Sequence, residues 1–281
     1  MTFQLSGFDL DRFVAATLAE DLGTGGDITS DAVIPADLRF CGTIDSRDAI
    51  SVAGLGIAAA FFTALDGDAL IEPLVDDGDA VAAGTDLMRV TGNARALLTA
   101  ERSALNTLQH LSGIATLTHA YVDTIRGTGA ILLDTRKTIP GLRAIEKYAT
   151  RMGGATNHRM GLWDAAMIKD NHVAVAGDVG EAVRRAVAAG IDRIIVEVDR
   201  IDQIEPALAA GATHLLLDNM DPATLRGAVT LVGGRVPTEA SGGVRLDTIR
   251  AIAETGVTYI SVGRLTQSAP AADIGLDFVA A

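Results

Sequence analysis

Hydrophobic and polar positions follow two rhythms along the chain, changing near Gly113. In the first stretch Leu10, Phe13, Val14 and Leu18 recur at helical spacing and stop at Gly23, which predicts a helix over 10–22. Leu38 to Asp45 and Ile71 to Val75 read as strands. Asp77-Gly78-Asp79, followed by Val81, Gly84 and Leu87 to Val90, reads as turn-punctuated strands of an antiparallel sheet. Ala49 to Leu65 carries no charge for 17 residues, but Ser51, Gly54 and Gly56 interrupt it, so it reads as buried core rather than a membrane span. Ala94 to Gly113 has a long apolar stripe of Leu97, Leu98, Leu105, Leu108 and Leu111; on that helix only Glu101-Arg102 could offer chemistry to a neighbour.

Beyond Gly113 short apolar strands alternate with helices. Strands are expected at Ala130 to Leu133, Ala166 to Ile168, Arg193 to Val198, His214 to Leu217, Val236 to Ala240 and Tyr259 to Val262. Helices are expected at Val179 to Ala189, Ile201 to Ala210, Pro222 to Leu231 and Leu246 to Glu254. Repeated βα units imply a parallel sheet buried on both faces, open or closed. The strand ends favour a barrel. Asp134, Lys169, Glu197 (followed by Asp199), Asp218, Glu239-Ala240-Ser241 and Gly263 all fall at or just past C-terminal strand ends, which in a barrel converge on the face that carries the site.

Composition narrows the class. A chain of 281 residues, 48% apolar and 21% charged, can bury a sizeable core and is long enough for two domains. A net charge of −13 argues against nucleic-acid and anionic-membrane partners. The single Cys41 excludes a disulfide framework, and Met1 to Phe13 lacks a secretory pattern, so a soluble cytoplasmic protein is expected. The charge is uneven. Asp134 to His172 holds seven Lys/Arg and four acids, a local +3, leaving 16 basic and 32 acidic residues elsewhere; all three lysines lie in this window. Such an island suits a small anion.

Candidate chemistry sits in and beyond that island. Arg136-Lys137 follow one strand end, His158-Arg159 follow Gly153-Gly154, and Lys169 ends the next strand; together these five groups could bind a ligand bearing several negative charges. Ser241-Gly242-Gly243 and Gly263-Arg264 are glycine-containing loops in the last two βα units, each ahead of an expected helix start, where phosphate binds in many barrels. Glu197 and Asp218 suit Mg2+, ribose hydroxyls or a developing positive charge, or equally a role in neutralising the nearby cations. His110, His119 and His214 read as structural, and Trp163, Met152 and Met167 as packing residues.

Several runs, in order, resemble the quinolinate phosphoribosyltransferase family. They are Glu101 to Asn106, Leu111 to Thr116, Asp134 to Arg143 (DTRKTIPGLR), Glu146-Lys147-Tyr148, Asn157 to Leu162, Ile168 to His172, Asp218-Asn219-Met220 and Glu239 to Gly243, with Glu20 to Thr29 similar to the family's N-terminal segment. The resemblance implies an α/β protein: an N-terminal α/β sandwich domain (1–112, completed by 268–281) and an incomplete (β/α) barrel of the type II phosphoribosyltransferase kind (113–267). It implies that quinolinate and phosphoribosyl pyrophosphate, with Mg2+, yield nicotinate mononucleotide, pyrophosphate and CO2 in NAD biosynthesis. By the same resemblance Arg136, His158, Arg159 and Lys169 hold quinolinate, and Arg102 reaches in from the partner of a homodimer, which stands alone or within a hexamer. Lys137 faces the pyrophosphate, Glu197 and Asp218 act near ribose and Mg2+, and Ser241, Gly242, Gly243, Gly263 and Arg264 hold the 5′-phosphate.

Ala155, Ile139, Asp199, Thr258 and Gln267 depart from the family pattern, where a third glycine, Thr, Glu, Asp and His are usual; none is a cation assigned to quinolinate. The alternatives are a molybdenum-transport-associated homologue of the same fold, a Schiff-base aldolase using Lys169, and a non-catalytic phosphometabolite-binding protein.

Overall fold

The computed structural model describes residues 3–279; the outermost residues of the expected sandwich domain, 1, 2, 280 and 281, lie outside the described residues. The chain divides into two compact units, one of residues 1–119, 140–154 and 268–281, the other of 120–139 and 155–267. The chain thus enters the first unit three times.

The first unit is built on strands β1 (Arg39–Ser46), β2 (Ile50–Ser51), β3 (Leu70–Pro73), β4 (Ala80–Val81) and β5 (Thr85–Asn93). Its main sheet is antiparallel, in the order last strand (Ile274–Val279), β1, β5, β3, while β2 and β4 form a separate pair. The uncharged run splits into β2 and the helix Leu55–Leu65. That helix is apolar nearly all round and buries Leu55, Ile57, Phe61 and Phe62, as a helix without a polar face must. Asp77 Oδ1 accepts the N–H groups of Gly54 (2.9 Å) and Leu55 (3.0 Å), satisfying donors the first turn leaves open.

Helix Ala94–Thr124 runs 31 residues, well past the expected stop at Gly113. Gly113 marks a close approach rather than an end: a Cβ there would collide with the backbone of Pro270. Leu97, Leu105, Leu108 and Leu111 join the core of this unit as the stripe predicts. Residues 140–154, within the stretch expected to form the barrel domain, group with this unit and carry a helix, Arg143–Met152, whose Glu146 and Lys147 are buried.

The second unit holds six parallel strands: β6 (Ile131–Leu133), β7 (Ala166–Ile168), β8 (Ile194–Val198), β9 (His214–Asp218), β10 (Thr238–Ser241) and β11 (Tyr259–Ser261). Their spatial order is β6-β11-β10-β9-β8-β7, so the two strands consecutive in sequence, β6 and β7, lie at opposite edges. This is the order of a ring opened at one seam. At that seam only a single parallel bridge, Leu133 to Thr156, adjoins β6. An incomplete barrel accounts for the order. Between the strands run the helices Asp170–Ala176, Val179–Ala188, Ile204–Ala210, Pro222–Val232 and Ile249–Ala253, with a short one, Arg264–Gln267, after β11. No helix of the described residues is long and apolar enough to cross a membrane.

Candidate active site

The period of two along each strand decides what faces the barrel interior. In β8 the buried Ile194, Val196 and Val198 alternate with Ile195 and Glu197; in β9 Leu215 and Leu217 alternate with His214, Leu216 and Asp218. One face carries Met167, Glu197, Leu216, Asp218, Glu239, Ser241 and Ser261 into a single cleft of about 840 Å3 at the C-terminal strand ends. Arg136, Lys137, His158, Arg159, Lys169, Gly242, Gly243, Gly263 and Arg264 complete its wall. Every expected site residue is therefore brought together except Arg102, which stands exposed on helix Ala94–Thr124 and does not line this cleft.

The cations are held by the chain around them. The Lys137 N–H donates to Thr135 Oγ1 (3.0 Å) and its carbonyl accepts from Thr266 Oγ1 (2.7 Å). Arg159 is buried and donates through Nη1 to the Ala165 carbonyl (3.0 Å). Burial, and then the charge of Arg136, lower its pKa, so an anion between the two guanidinium groups would relieve both. The buried Nε of Arg136 has no hydrogen-bond partner among the described residues. Lys169 Nζ donates to Glu197 Oε2. Burial, and then the charge of Glu197, raise the Asp218 carboxyl above the usual carboxylate range, while Lys169 acts the other way.

Asn219 is the only non-glycine residue with positive φ (54°) among the described residues. Its N–H donates to the Ser241 carbonyl (2.9 Å) and its side chain to Asp218 Oδ2 (2.6 Å). Gly242, at φ 91°, lies so close that a Cβ would overlap the Asn219 amide. The strained residue thus fixes both a carboxylate and the phosphate-type loop beside it.

Two buried carboxylates clamp the segment that carries His158 and Arg159. Asp134, fully buried, accepts the His158 N–H (2.8 Å) and Asn157 Nδ2 (2.6 Å). Glu239 Oε2 lies 3.2 Å from His158 Nε2 and 3.0 Å from His214 Nε2. Burial pushes the Glu239 carboxyl up, but the hydrogen bond with His158 and the adjacent His214 ring outweigh it and hold the pKa at about 2. The His214 ring stacks on Tyr259, with centroids 5.5 Å apart.

Four expectations change. Asp134 faces away from the cleft and serves as a clamp. Trp163, expected to pack, is 83% exposed, because it sits in the loop between helix Arg143–Met152 and β7. The Ser241-Gly243 loop does not lead straight into a helix, which starts only at Ile249, so helix-terminal charge plays no part there. His214 is more than filler: it begins β9 on the same face as Leu216 and Asp218, and that spacing is the signal that links it to Glu239. Asn219, Arg245 and Gln267 also line the cleft; Asn219 lies in the Asp218-Asn219-Met220 run and Gln267 is one of the departures from the family pattern, but sequence alone assigns none of the three a role in the site. Among the described residues no group of three or more His, Cys, Asp or Glu could hold a metal ion.

Family models for the quinolinate phosphoribosyl transferase N-terminal and C-terminal domains match residues 27–112 and 114–277. The chain is 44% identical to the nicotinate-nucleotide pyrophosphorylase [carboxylating] of Mycobacterium leprae, over 96% of this chain and 98% of that one. It is 40% identical to a mitochondrial quinolinate phosphoribosyltransferase [decarboxylating] of Nicotiana tabacum, over 96% of this chain and 82% of the other. The crystal structure of NadC from Streptococcus pyogenes superposes with a TM-score of 0.93 at 37% identity, covering 99% of this chain and 100% of that one. The nicotinate-nucleotide pyrophosphorylase from Francisella tularensis gives 0.92 at 38% identity, with the same coverage.

Proposed function

The chain belongs to the quinolinate phosphoribosyltransferase family, and we propose that it transfers the phosphoribosyl group of phosphoribosyl pyrophosphate to quinolinate with loss of CO2, giving nicotinate mononucleotide for NAD biosynthesis. The observation that carries this reading is the gathering of Arg136, Lys137, Arg159, Lys169 and Arg264 around one cleft in a protein of net charge −13. Both substrates are small polyanions, and such a cleft attracts and orients them.

In this reading Arg136, Arg159 and Lys169, with His158 beside them, receive the quinolinate carboxylates. Arg102 joins them from the partner of a homodimer, which its exposure on the first unit permits. Ser241, Gly242, Gly243, Gly263 and Arg264 receive the 5′-phosphate, and Lys137 the pyrophosphate. The pyrophosphate leaves as the C1–O bond breaks, and the oxocarbenium-like ribose is stabilised by Glu197 and Asp218. The quinolinate nitrogen donates its lone pair to the anomeric carbon. The ring, now cationic, accepts the electron pair released when the bond to the 2-carboxylate breaks, and a proton then fills that carbon.

Glu197 and Asp218 fit a site for Mg2+. They are two carboxylates on neighbouring strands, where burial and then the charge of Glu197 raise the Asp218 pKa, and no group of three or more His, Cys, Asp or Glu among the described residues supplies a full ligand set. Mg2+ is commonly held by one or two carboxylates together with substrate oxygens and water, and when bound it offsets the charge of the departing pyrophosphate.

The test mixes the protein with quinolinate, phosphoribosyl pyrophosphate and Mg2+ and follows CO2 and nicotinate mononucleotide together. Equal, Mg2+-dependent formation of both is expected. Neither product from folded protein, or mononucleotide from nicotinate but not from quinolinate, overturns the reading.

A further inference from the structure

His158 faces the cleft, yet both of its ring nitrogens are engaged within the chain. Nδ1 accepts the backbone N–H of Arg159 at 2.7 Å, so it carries no proton. The proton therefore resides on Nε2, which points at Glu239 Oε2, 3.2 Å away. Glu239 is fully buried at the floor of the cleft, below a ring that is itself only 6% exposed. A chain of contacts then runs from Glu239 through the imidazole to the Arg159 backbone, and from the Arg159 guanidinium to the Ala165 carbonyl at 3.0 Å. Each link removes rotational freedom from a side chain that would otherwise have to be ordered when an anion binds.

We propose that Glu239 is a positioning residue for the acceptor carboxylates, acting through His158: it locks the neutral Nε2–H imidazole, and the ring in turn fixes Arg159 in the cleft instead of giving the ligand a hydrogen bond of its own. The inference rests on the function proposed above and reassigns one of its residues. His214, whose Nε2 lies 3.0 Å from the same carboxylate oxygen, backs Glu239 from the neighbouring strand. The arrangement matches a general pattern in which a carboxylate orients an imidazole and thereby selects its tautomer.

Three measurements test it. First, histidine-selective 15N spectra of the ligand-free wild type, assigned by single-histidine variants, read the tautomer directly. Residue 158 is expected to be protonated at Nε2 only and to stay so when quinolinate is added. A doubly protonated ring, or an Nε2 signal that moves on to quinolinate, overturns the proposal. Second, Glu239→Gln is expected to raise the KM for quinolinate about 10- to 100-fold, the range for a lost hydrogen bond to a charged group, while the KM for phosphoribosyl pyrophosphate stays within about twofold. Equal loss for both substrates points to general damage and refutes the positioning role. Third, a double-mutant cycle combines Glu239→Gln with His158→Asn, whose side-chain oxygen can still accept the Arg159 N–H. If Glu239 acts through His158, its effect largely disappears in the His158→Asn background; additive effects refute the path. Should Glu239→Gln not fold, the spectra of the wild type still decide. Should the wild type fail to turn over quinolinate, the functional reading falls, while the tautomer measurement tests the geometry independently.

Discussion

Gly242 and Gly243 are adjacent, both have positive φ, and substituting alanine at each should have very different consequences. At Gly243 (φ 61°) an added Cβ meets nothing within 4 Å, so the cost is the left-handed backbone alone, about 1 kcal/mol. At Gly242 (φ 91°) the backbone is less favourable for an L-residue, and the Cβ would overlap the side chain of Asn219 and come within 2.9 Å of its backbone nitrogen. Asn219 cannot yield freely, because its N–H is bound to Ser241 and its amide to Asp218. Strain of ~1–2 kcal/mol plus a lost backbone hydrogen bond of about 1 kcal/mol gives roughly 2–3 kcal/mol for Gly242→Ala. At roughly 2–4 °C per kcal/mol for chains near this size, Gly243→Ala should lower Tm by about 2–4 °C and Gly242→Ala by about 5–10 °C. Only Gly242→Ala also disturbs Asp218, so it should raise the KM for phosphoribosyl pyrophosphate about tenfold more than Gly243→Ala does, the equivalent of ~1.4 kcal/mol. Differential scanning calorimetry and steady-state kinetics on the two variants measure both. Equal effects at the two positions would refute the claim that the Asn219–Gly242 contact organises this corner of the cleft.

Lys169→Glu places a third carboxylate beside Glu197 and Asp218 and should abolish saturable quinolinate binding in titration calorimetry; near-normal affinity would remove Lys169 from the pocket. Because burial and Glu197 raise the Asp218 pKa, its charged form costs stability above that pKa, and the cost is relieved as pH falls through it. Asp218→Asn should therefore lower kcat yet raise Tm at neutral pH, with the gain shrinking in acid; a Tm gain independent of pH would contradict this. Glu239 is the opposite case, a carboxyl held at about 2, so the stability it supplies is present above the ordinary carboxylate range and is lost only as pH falls toward 2; Glu239→Gln should destabilise at neutral pH and matter progressively less in strong acid. If Arg102 serves the partner's site, mixing inactive Arg102→Ala and Lys169→Glu proteins under subunit exchange should restore activity that neither has alone.

How much of this was legible in the sequence depended on the range of the interactions involved. The helix over 10–22 and strand β7 come out with the expected bounds because a local apolar period and a glycine punctuate them. The convergence of Arg136, Lys169, Glu197 and Asp218 was also legible, since βα alternation puts strand ends on one face whatever the loops do. Gly113 misled because propensity treats glycine as a stop, whereas here it makes room for the Pro270 backbone more than 150 residues away in sequence. Trp163 misled because an aromatic side chain is usually buried, and nothing local reports that its loop leaves it outside. His158 looked like one more cation. Only the fold reveals that Asp134 and Glu239, from strands far apart in the chain, hold it from two sides.

The strand Ile274–Val279 gives the first unit an unusual timetable during synthesis. Its partner β1 emerges from the ribosome more than 200 residues earlier, and until the last strand arrives the backbone of Cys41 to Ser46 presents an open edge on that side. Such an edge invites pairing with other nascent chains. Folding of this unit is thus deferred until that strand has emerged, and a chain cut short between Gln267 and Asp273 would possess every residue that lines the cleft yet lack the strand that closes β1. Nonsense truncations in that interval should aggregate rather than accumulate as partly active enzyme.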